Sequence, residues 1–281
     1  MNYRKMFVVK PGEKIRLDKI DPDFTDDVSN KQDGAEKTSA NAQLLADLQY
    51  KLYAENRQSL LIILQAMDAG GKDGTIAHVL SPMNPQGCRV QGFKAPSADE
   101  LEHDFLWRIH RVAPRNGEVV IFNRSHYEDV LVVRVHDLVP QSVWSRRYEF
   151  INDFEKMLTA RRTRVVKFFL HISKEEQLKR FEKRLDEKDK HWKISAGDYQ
   201  ERQYWDDYMA AFEDALSRCS TADAPWYVIP SNHKWFRNLA VSQILVETMQ
   251  DMKMALPKPT VNIEEIRKLA AAEWDKMKKK E

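Results

Sequence analysis

Leu60-Leu61-Ile62-Ile63-Leu64-Gln65 running into Ala66-Met67-Asp68-Ala69-Gly70-Gly71-Lys72-Asp73-Gly74-Thr75 decides the fold. The apolar run is short and bounded by turn signals, as in a parallel strand buried on both faces. A glycine-lysine loop that then opens a helix presents unpaired backbone N–H groups, and these favour phosphate oxygens. The reaction class this implies is phosphoryl transfer. The loop departs from the Walker A pattern G-x-x-x-x-G-K-[ST] at two places: Ala66 replaces the first glycine, and Asp73 follows the lysine where a hydroxyl residue would ligate magnesium. Asp68, inside the loop, is the substitute metal ligand this suggests. A carboxylate among phosphate-binding amides repels bare phosphate, so it makes sense beside a divalent cation or a cationic side chain.

Outward from the loop, elements alternate. A helix is expected over 39–56, then the strand at Leu60, a helix over 74–80 and a strand over 88–93. Ser97-Ala98-Asp99-Glu100 is a helix-start signal leading into a long amphipathic segment that ends near Pro114. Strands follow at 118–123, 165–172 and 226–230, with helices at 141–160, 174–187, 198–218 and 235–252 between and after them. Such alternation implies an α/β fold with a parallel sheet covered on both faces. Residues 1–38 read as an irregular arm, 39–256 as the main domain with a lid at about 174–197, and 257–281 as a helical tail closing on the basic run Lys276-Met277-Lys278-Lys279-Lys280.

Composition narrows the function. The 281 residues carry 45 Lys and Arg against 43 Asp and Glu, a net charge of +2, which does not mark a general nucleic-acid binder. No segment is long and apolar enough to span a membrane, and the first ten residues lack a secretory core. The two cysteines, Cys88 and Cys219, have no metal-ligand spacing and point to a reducing, cytoplasmic setting.

Two further constellations carry chemistry. Asn123-Arg124-Ser125-His126-Tyr127-Glu128-Asp129 lies at the carboxyl end of a central strand, where ligands of open α/β sheets bind. Arg124 offers a fork of donors to phosphate, while Glu128 and Asp129 can supply oxygens to magnesium. His126 is expected to be structural. The segment Lys179-Arg180-Phe181-Glu182-Lys183-Arg184 puts Arg180, Arg184 and Lys188 in one helical row with Lys179 and Lys183 beside it, a basic face suited to a lid. Lys94, in Phe93-Lys94-Ala95-Pro96, could meet an anionic substrate.

Met67 to Gly74, Phe93 to Pro96, His103-Asp104-Phe105-Leu106-Trp107-Arg108 and Asn123 to Glu128, in this order, resemble the polyphosphate kinase 2 family, over about 44–257. The resemblance implies a P-loop kinase fold similar to thymidylate kinase: a three-layer sandwich around a central, mainly parallel five-stranded sheet with a helical lid. It also implies transfer of phosphate from inorganic polyphosphate to adenine nucleotides, with guanine nucleotides as further acceptors, magnesium (or manganese) as cofactor, and homo-oligomers, dimeric or tetrameric. Asn123-Arg124-Ser125-His126-Tyr127-Glu128 stands where many relatives read Asp-Arg-Ser-Trp-Tyr-Asn. This looks like the third class, which accepts AMP as well as ADP. By similarity Asp68 and Lys72 belong to the Walker A site, Arg124 to the Walker B region, and Arg180, Lys183 and Arg184 to the lid. The candidate catalytic residues are therefore Asp68, Lys72, Arg124, Glu128 and Arg184. Ala69, Gly70, Gly71, Asp73, Gly74, Thr75, Lys94, Arg180 and Lys183 are candidates for phosphate contact, and Asp68 and Asp129 for metal. An ATP-dependent nucleoside monophosphate kinase, or a polyphosphate-binding protein without catalysis, is the competing reading. The first would want the Walker A hydroxyl, and the second would leave Asp68 and Glu128 without a task.

Overall fold

The run from Leu60 to Leu64 is the middle of β1 (Ser59–Gln65), the central strand of the sheet, and every residue of β1 is buried. In the computed structural model, which describes residues 2–26 and 30–278, the strand order is β2-β3-β1-β4-β5. Here β2 is Cys88–Gly92, β3 Val119–Asn123, β4 Thr163–His171 and β5 Trp226–Pro230. All neighbouring strands pair in parallel, with Leu64 level with Asn123 on one side and Phe168 on the other. The chain leaves β1 for β2 and β3, then crosses to β4 and β5. The phosphate loop and the end of β3 thus share the crevice at the switch point.

Successive side chains of a strand point to opposite faces, so β1 feeds two cores. Leu61 and Ile63 join Tyr148, Ile151 and Phe154 of the helix Gln141–Ala160 and Phe212 and Leu216 of Trp205–Cys219. Leu60, Ile62 and Leu64 join Leu45 and Leu52 of Lys31–Glu55 and Phe236, Leu239 and Ile244 of Lys234–Asp251. Helices, sheet and helices make the three layers.

Four differences from the sequence reading are local. The first long helix starts at Lys31, inside the supposed arm, because the Asn30 side chain accepts a hydrogen bond from the Asp33 amide at 2.9 Å and caps it. Gly34, which weakens a helix on propensity alone, is required there: a Cβ would overlap the ring of Trp235. The arm is not irregular throughout, since Tyr3–Phe7 is a helical turn and Val8 bridges Tyr227 antiparallel, covering the β5 edge. Between β2 and β3 stand two short helices, Ala98–Leu101 and Trp107–His110. Asp104, between them, turns the chain into the second by accepting from the Leu106 amide at 2.9 Å. The helix placed at 198–218 is likewise split, into Ala196–Glu201 and Trp205–Cys219 with a tight turn between. The tail forms the helix Ile263–Lys278 with no residue buried; Lys279 and Lys280 of the basic run, and Glu281 after it, lie outside the described residues.

Candidate active site

β1 delivers the chain into the loop with two left-handed residues, Ala69 (φ +59°) and Gly71 (φ +107°). Ala66 can replace the first Walker A glycine because its methyl takes the room a Cβ on Gly70 would need. Gly71 is doubly constrained, by its positive φ and because a Cβ would overlap Nη1 of Arg237. Lys72 folds back over the loop and donates to the Ala66 carbonyl at 3.0 Å. Burial, and then the neighbouring Arg124 charge, push its ammonium down to about 8, against the opposing pull of Asp68, Glu128 and Asp73. Thr75 is not among the described residues that line the cleft. Its hydroxyl is turned inward and donates to the Gly71 carbonyl at 3.1 Å, because the residue falls on the buried side of the first helical turn.

At the end of β3 the Arg124 amide donates to the Leu64 carbonyl at 3.1 Å, continuing the ladder, while a left-handed φ of +65° swings its side chain across to the loop. The guanidinium bridges two carboxylates: Nη2 lies 2.7 Å from Asp68 Oδ1 and Nη1 lies 3.5 Å from Glu128 Oε2. Asp129 is not on this side. It sits in the 3₁₀ turn His126–Val130, where residues adjacent in sequence point about 120° apart, so Glu128 facing Asp68 turns Asp129 away. Arg147 Nη1 donates to Asp129 Oδ1 at 3.0 Å, and burial raises this carboxyl to about 6 despite Arg147 and Arg108. The expectation of a metal ligand at Asp129 is therefore corrected, and Glu128 is the carboxylate that stands with Asp68. His126 is fully buried with Nε2 3.3 Å from Glu155 Oε1, in a cluster where Lys167 donates to Glu155 and Tyr127. Burial holds the imidazole below its ordinary range, which leaves it neutral and outside the cleft.

The lid helix Lys174–Asp186 braces the loop from behind. Gln177 Nε2 donates to the Asp68 carbonyl at 2.9 Å. Arg180 donates to the Ala69 carbonyl (2.9 Å), the Ser231 carbonyl (2.6 Å), the Asn232 carbonyl (3.0 Å) and Glu176 Oε1 (2.7 Å). Arg180 thus lines the cleft as a mostly buried clamp whose donors are taken up by the loop, the end of β5 and Glu176. Lys183, Arg184, Lys190 and Lys193 face the cleft, while Lys179 pairs outward with Glu175 at 2.8 Å. Asp73, standing where Walker A has a hydroxyl, accepts from Asn123 Nδ2 at 2.9 Å and faces Lys193 at 3.8 Å.

These groups line a cleft of about 1590 Å³, above the few hundred to about 1,000 Å³ of a single-ligand pocket. Its cations come from six parts of the chain: Lys31, Lys72, Lys94 with Arg108 and Arg111, Arg124, the lid, and Lys234 with Arg237. Among its described lining residues only Asp68, Asp73 and Glu100 are acidic. The family model described as polyphosphate kinase 2 matches residues 28–257. The chain belongs to the polyphosphate kinase 2 family. An AMP/ADP-polyphosphate phosphotransferase of Meiothermus ruber is 50% identical over 263 residues, 93% of this chain and 98% of that protein. An ADP-polyphosphate phosphotransferase of Rhodopseudomonas palustris is 50% identical over 272 residues, 91% and 93% of the two chains. The crystal structure of polyphosphate kinase 2 from Arthrobacter aurescens TC1 is similar with a TM-score of 0.93 at 43% identity, covering 97% of each chain.

In this polyphosphate kinase 2 chain the structure brings Asp68, Ala69, Gly70, Gly71, Lys72, Asp73, Gly74, Lys94, Arg124, Arg180, Lys183 and Arg184 to one cleft. Glu128 lines a small cavity beside it, shared with Asp68 and Arg124. Sequence reasoning missed Arg108, Arg111, Lys31 and, most of all, Arg237. The last had a readable signal. A charge between Phe236 and Leu239-Ala240-Val241 breaks the core stripe of its helix, and arginine is almost never fully buried unless paired.

Proposed function

We propose that this chain transfers the terminal phosphate of inorganic polyphosphate to ADP, and to AMP, making ATP. The observation that carries the reading is one cationic cleft, large enough for two ligands, converging on Asp68, Lys72 and Arg124. A polyphosphate end and a nucleotide can then lie in it together, and direct in-line transfer needs no covalent enzyme intermediate. The phosphate loop and Lys72 hold the transferred group, and Arg124 and the lid cations Lys183, Arg184 and Lys193 spread the charge that develops on it. Arg124 is already oriented by Asp68 and Glu128, so it reaches the reacting oxygens without first being ordered.

Magnesium fits this donor set in one way. No group of three or more His, Cys, Asp or Glu among the described residues could hold a metal, so the protein offers one or two carboxylates, Asp68 foremost. Magnesium is ordinarily held in this manner, by a carboxylate or two plus substrate phosphates and water. When bound it would neutralise phosphate charge beside Asp68. No helix among the described residues is long and apolar enough to cross a membrane.

The test is incubation of the purified protein with magnesium and long-chain polyphosphate, with ADP and AMP in separate reactions and no ATP, following nucleotides by chromatography. ATP from ADP supports the reading, and ATP from AMP supports two acceptor lengths. Transfer seen only from ATP would replace it with an ordinary nucleotide kinase. Asp68→Asn should keep polyphosphate binding and lose at least about 100-fold in kcat.

A further inference from the structure

Arg237 is buried to 1% exposure, yet it has no carboxylate partner among the described residues. Its Nε and Nη2 donate to Oδ1 of the adjacent Asn238, at 3.1 and 2.8 Å, and Nη1 has no acceptor among the described residues. The contrast with Arg180 is informative: that guanidinium, also buried, is consumed by Glu176 and three backbone carbonyls. Arg237 lies under the phosphate loop, with Nη1 where a Cβ on Gly71 would be and Nη2 3.0 Å from where one on Gly74 would be. It is among the residues that line the cleft. An uncompensated buried charge is strongly unfavourable, so a fold that keeps one here, against two glycines that let it approach the loop, leaves a place for an anion.

The neighbourhood says which anion. Arg180, Lys183 and Arg237 are close enough to Lys234 that their charges, after burial, lower its affinity for a proton. Burial and Arg180 likewise push the Arg237 guanidinium down to about 9, still cationic at neutral pH. On the opposite side of Lys72 the cleft wall is mixed. Phe93 and Val112 are apolar, and Glu100 accepts from Arg108 at 3.4 Å. A nucleotide needs a surface for its base and an uninterrupted phosphate chain does not; the Arg237 side has Trp235 in its wall, but it gathers Arg180, Lys183, Lys234 and Arg237 with no acidic residue of the lining from the same elements, and that run of cations suits the chain.

Resting on the function proposed above, we infer that Arg237 binds the polyphosphate donor, meeting a phosphate behind the transferred one, with Lys234 and Lys183 continuing the track outward. A merely structural Arg237 would show itself differently, since its loss would lower stability and disturb both substrates alike.

The experiment compares wild type with Arg237→Met, which keeps the volume, and with Lys234→Met, which is partly exposed and leaves the loop packing alone. KM for long-chain polyphosphate and KM for ADP are measured in separate series, together with thermal midpoints with and without polyphosphate. Arg237→Met should raise the polyphosphate KM about 10- to 100-fold, the range for losing one charge-assisted hydrogen-bonding group, with the ADP KM within about threefold. Its midpoint without polyphosphate should be at or above wild type, and its stabilisation by polyphosphate should shrink. Lys234→Met should move the polyphosphate KM in the same direction by a smaller factor. Equal changes in both KM values, an unchanged polyphosphate KM, or a lowered midpoint with polyphosphate stabilisation intact would overturn the assignment. If wild type itself makes no ATP from ADP and polyphosphate, the function proposed above fails instead, and the wild-type arm separates that case from the others.

Discussion

Raising the pH should switch off donor capture through one lysine. Lys72 is buried and its ammonium, ordinarily near 10.5, is held at about 8 by burial and by Arg124. The difference corresponds to about 3 kcal/mol of lost preference for the charged form. A polyphosphate end seated on the loop supplies the missing counter-charge, so binding favours the protonated lysine by up to about 300-fold if its ordinary affinity for a proton is restored. Above pH ~8 the free enzyme must take up a proton to bind, and kcat/KM for polyphosphate should fall about tenfold per pH unit, while kcat at saturating donor holds to higher pH. The stability consequence has the opposite slope. Because the folded value is depressed, the unfolded chain holds the extra proton between about 8 and 10.5, and the protein without polyphosphate should become more stable as pH rises through that window. The assay is initial rates from about pH 6.5 to about pH 8.7, below the value of about 9 to which Arg237 is lowered, at constant ionic strength and free magnesium, alongside Lys72→Arg. A wild-type profile flat to pH ~8.7, or the same decline in Lys72→Arg below that pH, would refute the reasoning.

Asp129→Asn should leave the magnesium dependence of the rate unchanged, because that carboxylate faces Arg147, while lowering stability by about 1.5–3 kcal/mol in urea titration for the loss of a charge-assisted hydrogen bond. Gly71→Ala forces a left-handed φ on a residue with a Cβ, about 1–3 kcal/mol of strain, and displaces Arg237; a tenfold or greater fall in kcat/KM for polyphosphate is expected with the circular dichroism spectrum retained. Lys167→Met leaves Glu155 buried without its cation and should cost about 3–5 kcal/mol by denaturant unfolding. Adding Glu155→Gln should recover part of that loss, since the remaining group is then uncharged.

The architecture was legible because β1 and its loop combine two strong signals: a run apolar at every position, which only a doubly covered strand can use, and a glycine-lysine turn. The helix at 141–160 and the strand at 226–230 were placed to the residue, having clear periodicity and flanking breakers. What failed depended on tertiary contact. The start of Lys31–Glu55 was hidden by Gly34, whose reason is Trp235, two hundred residues away. Glu128 and Asp129 are chemically alike and adjacent, so only the turn that separates them decides which faces Asp68. Arg180 read as an open cation because the carbonyls it clamps belong to the loop and to the end of β5, which sequence spacing does not bring together.

The two departures of the loop from the Walker pattern are parts of one arrangement. Ala66 is tolerated because Gly70 yields room, and Gly71 has no side chain where Arg237 must lie, so the loop is packed from beneath by a cation as well as by backbone. The two carboxylates that would repel phosphate are each already matched. Asp68 is held by Arg124 at 2.7 Å, and Asp73 is held by Asn123 and faced by Lys193 at 3.8 Å. Those partners are held differently. Arg124 is fixed by the turn at the end of β3, whereas Lys193 hangs from the lid, where its carbonyl accepts from Arg184 at 2.9 Å. An arriving phosphate chain would compete with Asp73 for Lys193 while Arg124 stays held by Asp68. A Walker hydroxyl at position 73 could hold metal, but it could not keep the lid's lysine waiting at the edge of the site.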